Sequence, residues 1–148
     1  MPKVKYTEGK GLVQESGSGM ILNGFMHGQK VEQKSVTSTD TLSVADSGKL
    51  ITLTGSAFTL SLPGVVAAKG CHYTIFAGAA ENYVLSELVG TDSNVLTMVS
   101  VNASATERDD AFTTATLSAG AIGDRFLCVS NGTYWIITAF ANAAVAAA

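Results

Sequence analysis

The residues able to do chemistry are few and scattered. The 148 residues hold two histidines, His27 and His72, and two cysteines, Cys71 and Cys128. His72 falls in a strand-like stretch, where a structural role is the simplest reading. His27 sits among Asn23, Gly24, Phe25 and Met26, with no acid beside it to poise it for proton transfer. The cysteines lack metal-ligand spacing and read as buried thiols acting as small hydrophobes. Ser18, between Gly17 and Gly19, does not have the strand-to-helix context of a nucleophile elbow. Gly48 and Lys49 are followed by Leu50, where a phosphate-binding loop needs Ser or Thr. The densest charge cluster is Glu107, Arg108, Asp109 and Asp110. Neighbouring acids in an extended segment point apart and offer too few oxygens to hold a hard cation. An exposed loop or an ion-pair patch between subunits is the expected role. The chain is therefore expected not to be an enzyme, and to need no cofactor, metal or small-molecule substrate.

The elements that would position these residues are short strands. Phe58, Leu60 and Leu62 alternate with Thr59 and Ser61, the period of a half-buried strand, and Pro63 and Gly64 end it. Strand-like runs recur at Leu50, Ile51 and Leu53; at 72–76; at 83–85; at 95–101; and at 111–117. Asp46, Ser47 and Gly48 mark a turn. The clearest signal joins 125–130 to 133–140 through Asn131 and Gly132, because Asn-Gly between apolar runs favours a tight hairpin turn. Residues 106–109 resemble either a capped first turn or a loop. The sequence predicts an all-β fold: an antiparallel β-sandwich, jelly-roll-like, of about eight short strands with an extended N-terminal arm. The expected organisation is an arm over 1–33, the sandwich over 34–140, and an Ala-rich C-terminal tail over 141–148.

Composition narrows the function class. Hydrophobic residues make up 47% of the chain and charged residues only 14%, against a usual charged share of about 25%. No apolar run approaches the ~20 residues of a membrane-spanning helix. Polar coverage falls to 30 serines and threonines. A net charge of −3 argues against nucleic acid as a partner. The charge is uneven: the first 34 residues hold five lysines against three glutamates, and the remainder four basic against nine acidic residues. Met1, Pro2 and Lys3 lead into polar residues without the apolar stretch of a secretory signal, so synthesis in a reducing cytoplasm is expected.

Taken in order, TLSVADSGKL (41–50), ITL (51–53), LSLP (60–63), GDR (123–125) and SNGTYW (130–135) resemble the pattern of β-rich virion proteins of tailed bacteriophages. That group includes capsid decoration (cement) proteins and domains of head or tail fibres. The resemblance implies a structural decoration protein that binds the outer surface of a phage head and stabilises it. It implies a homotrimer, the major capsid protein as partner, and a place on the virion surface after synthesis in the host cytoplasm. On this reading the arm docks on the capsid: Lys3, Lys5 and Lys10 meet acidic groups, and Leu12, Val13, Ile21, Leu22 and Phe25 fill apolar grooves. Tyr134, Trp135, Arg108 and Asp109 are the expected oligomer contacts. The alternative is a fibre or tail-tip adhesin that binds a host glycan through exposed aromatics and polar loops.

Overall fold

The computed structural model describes residues 3–8, 11–16, 30–87, 95–101, 105–112, 114–117, 120–142 and 145–147. The chain divides into two compact units, Met1–Lys30 and Val31–Ala148. In the first unit, β1 (Lys3–Thr7) pairs antiparallel with β2 (Gly11–Ser16). The expected extended arm thus contains a hairpin. Its signal is short: Lys3, Val4, Lys5 and Tyr6 alternate over barely two periods, too few to stand out from a Gly-rich segment.

Among the described residues the second unit is all-β apart from one short 3-10 turn at Val44–Asp46. Its first six strands are β3 (Gln33–Val36), β4 (Asp40–Thr41), β5 (Leu50–Leu53), β6 (Phe58–Leu62), β7 (His72–Ala77) and β8 (Tyr83–Glu87). They wind as a coil. β3, β5 and β7 pair in parallel in one sheet, and β4, β6 and β8 pair in parallel in the other. Parallel neighbours cannot be joined by a tight turn and need a crossover. Here the crossover is the intervening strand of the opposite sheet. The chain then continues through β9 (Val95–Val101), β10 (Ala105–Phe112), β11 (Thr114–Leu117), β12 (Arg125–Ser130), β13 (Trp135–Ala141) and β14 (Val145–Ala147). The larger sheet has seven strands in the order β10-β9-β13-β12-β7-β5-β3, and the smaller has five in the order β14-β11-β8-β6-β4.

Both sheets are mixed, which corrects the expected antiparallel arrangement of about eight strands. Antiparallel pairs join β12 to β7 and β13, β11 to β8 and β14, and β9 to β10, whereas β9 and β13 run parallel. Strand patterning reports which residues turn inward; it carries no information about the direction of the neighbouring strand. The Ala-rich end is also not a free tail. β13 runs through Ala141, and β14 adds to the edge of the five-stranded sheet with Val145 buried.

The inward faces share one core. Ile51, Leu53, Tyr73, Ile75, Phe126, Cys128, Trp135 and Ile137 come from the larger sheet, and Leu60, Leu62, Tyr83, Leu85, Leu117 and Val145 from the smaller. Large buried aromatics with polar tips need hydrogen-bond partners. The Trp135 Nε1–H donates to the Pro63 carbonyl at 3.0 Å, so the proline that ends β6 also anchors β13. The Tyr83 hydroxyl donates to the carbonyls of Gly55, at 3.0 Å, and Leu53. The Ser130 hydroxyl donates to the Val65 carbonyl at 2.9 Å.

The hairpin between β12 and β13 is present, with Ser130 opposite Trp135. Its connection is four residues, 131–134, rather than two. Asn131 accepts the N–H groups of Thr133 and Tyr134 on its side-chain oxygen at 2.8 and 2.7 Å. Gly132 takes φ +92°, a left-handed conformation that favours glycine.

Candidate functional site

The alternation along each strand sets what the two outward faces offer. On the five-stranded sheet the outward positions are Thr59, Ser61, Val84, Ser86, Thr114 and Thr116. Ser61 and Ser86 sit opposite each other in adjacent strands and their hydroxyls are 3.0 Å apart. Apart from Val84 these outward positions carry hydroxyl groups, and part of the Ser and Thr content is thereby located.

The seven-stranded sheet differs. β12 and β13 have no polar alternation: the residues between the buried ones are again mostly apolar. Leu127 and Val129 face outward from β12, and Ile136 and Phe140 from β13. Their exposures are 36%, 46%, 44% and 38%, high for large apolar side chains in mid-sheet. Val129 lies opposite Ile136, and Leu127 opposite Thr138. Arg125 lies opposite Phe140 and sets its guanidinium carbon 4.5 Å from that ring's centroid, a cation–π contact. Half-buried Thr74 and Phe76 on β7, and Leu50 and Thr52 on β5, continue the face, and Gln33 and Ser35 on β3 give it a polar margin.

Beside this face lies a cavity of about 270 Å³ lined by Val31, Gly48, Lys49, Leu50, His72 and Thr74. His72 is exposed and supplies its backbone to the turn: Gly48 N–H donates to the His72 carbonyl at 2.9 Å, and the His72 N–H donates to the Ser47 hydroxyl at 3.1 Å. Its expected structural role fits these contacts.

A charge cluster clamps the start of the second unit. Asp46 is 7% exposed. Its Oδ2 accepts the Ser43 N–H at 3.0 Å, the Ser43 hydroxyl at 2.8 Å and the Lys34 ammonium at 3.3 Å, while Oδ1 accepts the Lys49 ammonium at 3.1 Å. Lys34 also pairs with Asp40, and Lys49 with Glu32, both at 3.1 Å. Burial opposes ionisation of Asp46, but the Ser43 donors and the two ammonium groups outweigh it and hold the carboxyl well below its ordinary range. The cluster ties the 3-10 turn to β3 and β4. It is a clasp rather than a reaction centre, since each carboxylate faces a cation.

The expected site residues separate. Lys3, Lys5, Leu12 and Val13 lie on β1 and β2, and Lys10, Ile21, Leu22 and Phe25 lie outside the described residues. Arg108 and Asp109 are on β10, an edge strand of the seven-stranded sheet, opposite Met98 and Thr97. The expected loop at 106–110 is therefore a strand. Charged residues on an edge strand discourage unwanted pairing with other chains, which gives the Glu107 to Asp110 run a structural role on β10. Tyr134 is 40% exposed, but Trp135 is fully buried. Trp135 is thus not an oligomer contact: its indole is held by Pro63 and packs 5.6 Å from the Tyr73 ring. Tyr134 and Trp135 are adjacent, so one ring turns outward and the other inward. The outward Leu127, Val129, Ile136 and Phe140 are not singled out by the sequence motifs; their signal is the mostly apolar run of each strand, interrupted in β13 by Thr138 alone.

The thiol of Cys128 is fully buried, and burial pushes its pKa up; Cys71 is buried and free. Among the described residues no group of three His, Cys, Asp or Glu side chains is placed to hold a metal ion. No helix among them is long and apolar enough to cross a membrane. Comparison with known proteins finds no matching family model and no matching curated protein.

Proposed function

We propose that this chain is a structural virion protein of a tailed bacteriophage, a decoration protein that binds the outer surface of the head and stabilises it. The observation that carries the reading is a division of labour within one chain. A small N-terminal unit holds four lysines against two glutamates, and the separate all-β unit presents a broad sheet face almost free of charge. The basic unit would dock on acidic groups of the major capsid protein through Lys3, Lys5 and Lys10. The all-β unit, read as a two-layer β-sandwich of mixed sheets, would associate with its own kind. The role is non-enzymatic and needs no cofactor, and the place of action is the capsid surface.

Co-sedimentation tests this reading. The full chain is mixed with heads assembled without it. Saturable binding that weakens with salt and is lost in K3E/K5E/K10E supports docking by the basic unit. Absence of binding refutes it. The adhesin reading is favoured by one observation, the exposed Tyr134 beside the polar connection 131–134. A glycan array with Tyr134→Ala as control distinguishes it: Tyr134-dependent capture of a glycan, without head binding, would replace the decoration role.

A further inference from the structure

We propose that the outward face of the seven-stranded sheet is a self-association surface, covered by a second copy of this chain through Leu127, Val129, Ile136 and Phe140. The inference rests on the self-association half of the decoration reading and is independent of capsid binding.

Four observations converge on it. First, β12 and β13 carry apolar residues on both sides, the pattern of strands buried on two faces. Among the described residues only the inner side is covered: Phe126, Cys128, Trp135 and Ile137 are buried, and the outward four are 36–46% exposed. Second, the patch is central. β13 and β12 are the third and fourth of seven strands, with polar Gln33 and Ser35 at the β3 margin. An apolar centre inside a polar rim is the anatomy of a protein–protein interface. Third, the other sheet of the same molecule covers its outward face with hydroxyls, so the apolar face is not a property of the composition at large.

Fourth, the area and charge fit a like partner. Seven strands spaced ~4.8 Å apart and about six residues long at ~3.3 Å each give a face of roughly 30 by 20 Å. That is about 600 Å² in projection and more over its side-chain relief, comparable to the ~800 Å² per partner of a standard interface. On β3, β5, β7, β12 and β13 the outward titratable side chains are Arg125, already stacked on Phe140, and His72; by register Arg108 of β10 falls on the same face, at its far edge. The centre of the face, Leu127, Val129, Ile136 and Thr138, offers a strongly charged partner no counter-charge. A second copy brings the same uncharged ridges of branched and aromatic side chains. Two such faces can interdigitate as stacked sheets do, about 10 Å apart. One continuous patch meeting its own copy gives a two-fold contact.

The test is molar mass in solution by light scattering and sedimentation velocity on the full chain. The variant V129E/I136K places opposite charges at directly opposed positions, which suits the pair within a monomer but buries charge in the proposed contact. The control I122K alters a residue 74% exposed and outside the sheet. Far-ultraviolet circular dichroism and Trp135 fluorescence verify the fold of each protein. The expected result is a wild-type oligomer that is unchanged in I122K and falls to the 15.2 kDa chain mass in folded V129E/I136K. Should that variant misfold, Phe140→Gln serves in its place, with at least a tenfold weaker association expected. A wild-type monomer, or an oligomer indifferent to both face variants, overturns the proposal. The copy number separates it from the broader reading. A face-dependent dimer upholds this surface and removes the homotrimer, and failure to bind heads removes the capsid role without touching the result.

Discussion

Replacing Asp46 with asparagine tests whether the charge clasp holds the first turn of the β unit. The carboxylate accepts four donors: the Ser43 N–H and hydroxyl, Lys34 and Lys49. An amide keeps one accepting oxygen and places an NH₂ group where at least one of these donors points. Hydrogen bonds to charged groups contribute about 1.5–3 kcal/mol each. Both lysines keep a second carboxylate, Asp40 or Glu32, so the loss is partial, and we expect about 2–3 kcal/mol. With a urea m-value of about 2 kcal/mol/M for a domain of this size, the midpoint falls by roughly 1 M. The assay is urea unfolding followed by the fluorescence of Trp135, the single tryptophan and fully buried. The pH dependence gives a second readout. The folded carboxyl is held below its ordinary value of 3.8. Its contribution is therefore complete above that value and is lost as the pH falls below it. Asparagine does not titrate, so the gap between wild type and variant should shrink by about 1 kcal/mol between pH 5 and pH 3. A gap below about 0.5 kcal/mol at pH 7, or a gap constant down to pH 3, refutes the clasp.

Three further outcomes follow from the packing. Trp135→Phe removes the donor to Pro63 and leaves a void beside Tyr73; a loss of about 2–3 kcal/mol is expected, read by calorimetry since the fluorophore is gone. Gly132→Ala forces a side chain into φ +92° and against the Lys69 side chain, which should cost about 1 kcal/mol or more in the melting transition. Cys128 should resist a thiol reagent in the folded protein and react on unfolding, because its thiol is fully buried and its pKa raised; rapid native labelling at Cys128 would contradict the core assignment.

How far the sequence could be read depended on the range of the interaction. The alternation of Phe58, Leu60 and Leu62 and the Asn131 and Gly132 connection are local, and both elements form where expected. The direction of pairing is not local. The parallel ladders β3-β5-β7 and β4-β6-β8 depend on the chain changing sheets at each strand, and residue patterning is indifferent to that. At the candidate site the sequence marks both Tyr134 and Trp135 as contacts, but adjacent strand residues face opposite ways, and only Tyr134 is exposed. The apolar runs of β12 and β13 identify strands, but they do not show what covers the second side of each. Once the smaller sheet is seen to turn hydroxyls outward, that question becomes specific to the larger one. The charges of Glu107 to Asp110 mask a strand in the sequence, and β10 lies at a sheet edge, where charge is tolerated.

The central claim, that this chain coats a phage head, is tested most directly by electron cryo-microscopy of heads assembled without it, imaged before and after addition of the full chain. The account predicts new ordered density on the outer surface, containing more than one copy at each site, and its absence when K3E/K5E/K10E is added instead. Identical maps with and without the chain would contradict it.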